Sequence, residues 1–381
     1  MQKQFKLILD TFCEVYDLLQ PYADGDFWDF SNHETIPGAV YVISRKEFIK
    51  YHERIRREIE QGLAYYIFSN PAEGSETIAG QLMQAIPIED LAHAGKVLII
   101  GGGDMDDSYK CLQYDSFLPK LYDYEENVEA AARVDEIYAR SDKPYKFLFL
   151  NGRSRPHRKY LIEKFKLANI LDQSIWTNLD VTPVKSRFIK LWRQSTNLLS
   201  APGVIKCLDP KYEYKFYKDR VNTKFSVDYI KYNLFDNSWG EIYLEPAPYI
   251  DTYFSLVTET VFDYPYSFRT EKIWKPIAIG HPFIVVANQG YYRDLHNLGF
   301  KTFGHLIDES FDNIEDGQQR IDRIAAVVEE LCKQDLSAFL AAAEETCKYN
   351  QQHLADMRLQ VRQEFPNRFF QFINQHLTIN E

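Results

Sequence analysis

From about Gly38 onward, short continuous apolar runs alternate with stretches of helical period. Val40–Ser44 predicts a strand, Lys46–Gln61 a charged surface helix and Leu63–Phe68 a second strand. The loop Asn70-Pro71-Ala72-Glu73-Gly74-Ser75 follows, then a helix to about Ala85, and Val97–Ile100 predicts a third strand ending in Gly101-Gly102-Gly103. This βαβαβ order implies a parallel sheet covered by helices. Before Gly38, the positions Phe5, Leu7, Ile8, Phe12, Val15, Leu18 and Leu19 fall at helical spacing. They predict a helix that breaks at Pro21 and the Asp24-Gly25-Asp26 turn.

Glu125–Arg140 predicts a polar helix, and Ser141-Asp142-Lys143-Pro144 a linker. The alternation then restarts: strand Tyr145–Leu150, loop Asn151–Ser154, helix Arg158–Ala168, strand Tyr253–Thr258, helix Glu271–Ile279, strand Phe283–Ala287, and helix Tyr291–Leu298 closed by Gly299. The remainder from Asp316 is helical, with Ile321, Ile324, Val327, Val328 and Leu331 as a core stripe. The predicted fold class is α/β, with two Rossmann-like domains, residues 1–142 and 143–381, facing a central cleft. Ligands of open α/β sheets bind outside the carboxyl ends of the strands, which directs attention to the loops that follow them. An aromatic stretch over residues 195–250 has no regular period, and most of the chain's 26 Tyr and 26 Phe are expected in core or interface packing, leaving a minority open to sugar stacking.

Two domains also suit a chain of 381 residues. The net charge of −11 disfavours nucleic acid and anionic membranes as partners. There is no apolar run of membrane-spanning length and no secretory leader pattern, and the five scattered cysteines form no CxxC pair. A reduced, cytoplasmic location is therefore expected.

Two loops carry candidate chemistry. In Asn151-Gly152-Arg153-Ser154-Arg155-Pro156-His157-Arg158 a strand enters a glycine-containing loop, and a helix starts with proline in its first turn. Three arginines and a histidine at a helix N-terminus repel its dipole unless an anion is present, so the segment is expected to cradle a diphosphate. In the second loop, Phe254–Thr258 leads into Glu259, and Phe268-Arg269-Thr270-Glu271-Lys272-Ile273-Trp274-Lys275-Pro276 starts a helix capped by Thr270. It offers one carboxylate for sugar hydroxyls, Lys272 and Lys275 for phosphate charge, and Phe268 as a ring to stack on a base.

These segments, with Gly280-His281-Pro282-Phe283-Ile284-Val285 and Tyr291-Tyr292-Arg293-Asp294-Leu295, resemble the donor motif of the α1,3-fucosyltransferase-like glycosyltransferases. The likeness includes relatives from bacteria, phages and large viruses. It covers about residues 145–170 and 250–305, and elsewhere is only architectural. It implies a GT-B-type enzyme with its nucleotide-sugar donor in the C-terminal domain and its acceptor on the N-terminal side. A GDP-sugar is favoured and a UDP-sugar is the alternative; the partners are then that donor and a glycan or other hydroxyl acceptor. By the family's pattern, Glu271 and Lys272 contact sugar-nucleotide and diphosphate. One of Arg153, Arg155 or Arg158 neutralises the diphosphate, and Phe268 stacks on the base. The family's catalytic-base segment has no match in the N-terminal half.

Transfer from such a donor, by inverting displacement, needs stabilisation of the departing diphosphate and a carboxylate to take the acceptor proton. Candidate bases are Asp104, Asp106 and Glu73, with Asp104 preferred because Gly101-Gly102-Gly103 lets backbone approach a ligand. Asp104-Met105-Asp106 also matches the DxD signature of metal-dependent transferases; the GT-B reading requires no metal cofactor. Two further alternatives are a non-catalytic nucleotide-sugar-binding or structural module, and an enzyme glucosylating DNA bases, which the net charge opposes.

Overall fold

The computed structural model describes residues 5–151, 155–178 and 244–377. Arg153 and the aromatic stretch between residues 195 and 243 lie outside the described residues. The chain is mixed α/β, with a six-stranded and a four-stranded parallel sheet. It divides into two compact units: Met1–Pro119, Tyr266–Arg269 and Met357–Glu381 form the first, and Lys120–Pro265 with Thr270–Asp356 the second. Sequence predicted one break near residue 142, whereas the observed division follows packing. In the second unit Tyr138 donates to the Gly280 carbonyl at 2.8 Å, and Asn127 accepts from the Leu244 amide at 2.7 Å.

The first unit contains β1 (Leu7–Asp10), β2 (Gly25–Phe27), β3 (Val40–Ser44), β4 (Tyr65–Asn70), β5 (Val97–Gly101) and β6 (Cys111–Gln113), in the order β2-β1-β3-β4-β5-β6. Alternate residues feed two apolar layers. Ile8, Tyr41, Ile43, Tyr66, Phe68 and Ile99 pack with Phe48 and Ile55 of the Arg45–Glu60 helix. Leu7, Leu9, Val40, Val42, Ile67 and Ile100 pack with Phe365, Phe369 and Ile373 near the end of the Leu336–His376 helix. A strand buried on both faces shows an unbroken apolar run. That corrects the helix predicted over the first residues: Leu7-Ile8-Leu9 is strand, and its run is too short to reveal its period.

In the second unit, β7 (Tyr145–Asn151), β8 (Ile175–Asn178), β9 (Thr252–Thr258) and β10 (Phe283–Val286) lie in the order β10-β9-β7-β8. Phe147 of β7 stacks on Phe254 of β9 at 5.5 Å and meets Phe165 edge-on at 5.7 Å. The Glu271–Ile279 helix buries Ile273, Trp274, Ile277 and Ala278. Pro276 falls inside this helix, which ends three residues later at Ile279 and is capped by left-handed Gly280 (φ +71°). The predicted Glu125–Arg140 helix is two short ones, Glu125–Ala131 and Val134–Tyr138.

Candidate functional site

In the second sheet the chain runs from β7 outward to β8 on one side, and from β9 outward to β10 on the other. The order therefore reverses between β7 and β9, where open α/β sheets hold ligands. Asn151 ends β7 and Thr258 ends β9; the Thr258 hydroxyl donates to Asn151 Oδ1 at 2.6 Å, directly across the reversal.

Glu259, the next residue, is fully buried and joins two helix starts. Its carboxylate accepts from the Thr270 amide (3.0 Å) and hydroxyl (2.7 Å), which fixes the N-cap of the Glu271–Ile279 helix. Tyr291 donates its hydroxyl to the same carboxylate at 3.1 Å. The Glu259 main-chain carbonyl accepts from His157 Nε2 (3.1 Å) and Arg158 Nη2 (3.2 Å), at the start of the Pro156–Leu167 helix. Arg158 also donates to the Thr258 carbonyl at 2.8 Å. One residue thus orients the N-terminal turns of two helices, whose positive dipole ends favour an anion.

The electrostatics separate fully buried supporting groups from partly open ones. Burial raises the Glu259 carboxyl, against the opposing pull of the Lys272 ammonium. Burial also pushes on Glu271, but Lys272 and Lys275 outweigh it and hold that carboxyl below its ordinary value. Lys272 Nζ lies 2.7 Å from Glu271 Oε1 and 3.0 Å from Thr270 Oγ1, with its side chain 23% exposed. Arg155 and Lys275 are likewise half-buried. Arg158, only 2% exposed, grips main-chain carbonyls and serves as a clamp on the β9 end. The His157 ring stacks on Phe262 at 5.2 Å, and the buried Arg320 guanidinium lies 4.6 Å from the same ring while donating to the Phe262 carbonyl. This clamps the loop after Glu259. Sequence reasoning missed the hub role of Glu259 and the contributions of Tyr291 and Arg320, for nothing in their local pattern announces partners 30 to 60 residues away.

Phe268 and Arg269 belong to the first unit. Phe268 is 3% exposed, pairs antiparallel with Gly103, and packs edge-on to Phe117 at 6.1 Å. The glycine run expected to admit a ligand instead seats this segment. A Cβ on Gly102 would meet the Pro71 carbonyl oxygen and lie 2.5 Å from the Phe268 ring, and one on Gly103 would lie 2.5 Å from the Ser267 carbonyl oxygen. Arg269 pairs with buried Asp115 at 3.3 Å. Among the expected bases, Asp104 is exposed and Glu73 half-buried. Asp106 anchors a turn, and the Ser108 hydroxyl and amide hold its carboxyl below the usual range. No group of three potential metal ligands occurs among the described residues.

His157 and His281 give the fold a measurable acid sensitivity. Burial pushes both imidazoles down to about 3, helped at His157 by the Arg158 charge and at His281 by Lys143. His281 Nε2 lies 3.0 Å from the Thr252 carbonyl and Nδ1 2.9 Å from the Ser255 hydroxyl. The carbonyl requires Nε2–H, so the neutral ring accepts at Nδ1. Below its ordinary pKa of 6.5 the unfolded chain takes up protons that these rings refuse, so their contribution is complete above 6.5 and falls as pH drops towards 3. Each should remove about 1 kcal/mol of unfolding free energy between pH 7 and pH 5.5. Urea unfolding across that range checks this, and His281→Gln should flatten the slope; an unchanged slope would reject the assignment.

No protein-family model, curated protein or solved structure matches the chain.

Proposed function

We propose that the chain is a nucleotide-sugar-dependent glycosyltransferase of the two-domain GT-B type, with the donor diphosphate at the carboxyl edge of the second sheet. The observation that carries this reading is the tethering of two helix N-termini to Glu259, beside the strand-order reversal. Such a site favours an anion, and the half-buried Lys272, Lys275 and Arg155 supply positive charge near the two helix starts. In the reaction the acceptor oxygen attacks the sugar's anomeric carbon. The bond to the diphosphate breaks with its electron pair leaving on the phosphate oxygen, and the cations and helix dipoles stabilise that charge. The acceptor proton passes to a carboxylate acting as general base. Glu259, Thr270, Tyr291 and Arg158 act as positioning residues.

A thermal-shift screen of the full chain tests the reading, using GDP, UDP, CDP, ADP and their sugars, with Mn²⁺ or with EDTA. We expect a guanine nucleotide to stabilise equally in both, by about 2.7 kcal/mol at a hundred times its dissociation constant. Lys272→Ala should weaken that binding by about 1–3 kcal/mol through lost charge-assisted hydrogen bonds. No shift with any nucleotide, or undiminished affinity in the Lys272 variant, would overturn the donor site. A nucleotide shift without sugar transfer to any hydroxyl acceptor would leave a binding module.

A further inference from the structure

Arg320 carries a positive charge into the interior of the second unit. It is 3% exposed, and its guanidinium donates to four main-chain carbonyls: Ala287 from Nε (3.2 Å), Ile314 and Glu315 from Nη1 (2.8 and 3.0 Å) and Phe262 from Nη2 (2.7 Å). Ala287 follows β10, Ile314 and Glu315 lead into the Gly317–Leu331 helix, and Phe262 lies in the loop that leaves Glu259. The planar fork thus holds three separate segments at once, which the point charge of a lysine cannot reproduce. Burial works against the charge and outweighs the support of Asp263, Asp312 and Asp316, so the guanidinium lies below its ordinary value. A cation near the start of its own helix is also opposed by the dipole.

The buried Phe262 ring is what this charge holds in place. Its centre lies 4.6 Å from the guanidinium carbon, and it stacks on the His157 imidazole at 5.2 Å, 21° from parallel. Gly317 leaves room for the loop, since a Cβ there would lie 3.4 Å from Phe262 Cε1 and 2.9 Å from Asp263 Oδ1. His157 is the second residue of the Pro156–Leu167 helix, and its Nε2 lies 3.1 Å from the Glu259 carbonyl. A carbonyl only accepts, so the neutral ring carries its proton on Nε2. Contacts therefore run unbroken from Arg320 through Phe262 and His157 to Glu259, to which both helix starts are tied.

We propose, resting on the diphosphate reading of that site, that Arg320 is a positioning residue for the anion at the Pro156 helix start, acting through Phe262 and His157. A diphosphate meets the free amides of a helix start only while the first turn keeps one orientation. Phe262 covers the imidazole, and together with the Glu259 carbonyl it leaves the ring one tautomer and one angle. When the loop after Glu259 is loosened, His157 is uncovered and the first turn samples other orientations. Anion affinity then falls by the fraction of time the turn spends away from the competent one. Arg320 touches no reacting atom, so its effect is carried wholly by the ring that it holds.

The test compares the full wild-type chain with three variants. Arg320→Lys keeps the charge and loses the fork, Phe262→Leu keeps apolar volume and loses the ring, and Phe262→Tyr keeps the ring. NMR follows the His157 imidazole from about pH 7.5 to about pH 4, and calorimetry measures the affinity for GDP, UDP and inorganic pyrophosphate. Both are made well below each unfolding midpoint, so that loss of folded chain cannot mimic weaker binding. Burial does most to push the His157 ring down to about 3, ahead of the Arg158 charge, so the wild type and Phe262→Tyr should keep a neutral Nε2–H ring throughout. Arg320→Lys and Phe262→Leu should let it take up a proton within that range and should weaken the bound anion at least tenfold. Wild-type titration of His157 in both of these variants would overturn the proposal, as would undiminished affinity in Arg320→Lys. A wild-type chain that binds none of the three anions would overturn it together with the donor site, whereas wild-type binding with unaltered variants would overturn it alone.

Discussion

Glu259→Ala is expected to destabilise the second unit by about 3–5 kcal/mol, the range for removing one member of a buried charged network. It should also abolish the nucleotide-dependent thermal shift. The alanine leaves the Thr270 amide, the Thr270 hydroxyl and the Tyr291 hydroxyl without their buried acceptor, and a buried donor stripped of its partner costs about 1–3 kcal/mol. The Glu271–Ile279 helix loses the contact that fixes its N-cap, so Lys272 and the helix dipole no longer share one orientation. Glu259→Gln separates charge from shape. Burial already lifts this carboxyl towards its neutral form, so the amide, nearly isosteric with a protonated acid, should retain more than half of the lost stability. Urea unfolding of both variants measures the difference. If alanine costs less than about 1 kcal/mol, the surface-mutation scale, Glu259 is no hub.

Gly102→Ala should cost the first unit about 3 kcal/mol, the upper part of the usual range for overpacking. The added carbon meets main-chain atoms as well as a ring: the Pro71 carbonyl oxygen, the Glu73 carbonyl oxygen at 3.0 Å and Phe268 Cε2 at 2.5 Å. Phe268 can swing away only by leaving its place between Gly74 and Phe117, and Gly103 pairs with the same residue. Gly80→Ala is the natural control, since nothing lies within 4 Å of a Cβ there, and it should be neutral or slightly stabilising. Chemical denaturation of the two variants checks the contrast, and equal midpoints would reject the seating of Phe268 on the glycine run.

The elements most legible in the sequence were those whose apolar pattern is long or cleanly punctuated. Val40–Ser44 with its charged helix, Thr270 as an N-cap and the Glu271–Ile279 helix that it opens follow from local rules that tertiary packing did not override. Less legible were β1, β2 and β6, of four, three and three residues, because such runs are too short to display a period. The candidate site was visible as a set of residue types but not as a division of labour. Arg158 and Lys272 look alike as cations near helix starts, yet one is buried against carbonyls and the other is partly open. Phe268 shows the same limit: an aromatic before a motif carries no mark of the three glycines, more than 160 residues earlier, on which it rests.

The packing of Phe365, Phe369 and Ile373 on the first sheet bears on biosynthesis. The strands of that sheet are complete once residue 113 has been made, but the rings that cover one of its faces come some 250 residues later. At roughly 5–20 residues per second, that face stays open on the ribosome for about ten to fifty seconds. Its Leu7, Val40, Val42, Ile67 and Ile100 side chains are then a binding surface for a holding chaperone, and a starting point for aggregation when none is at hand.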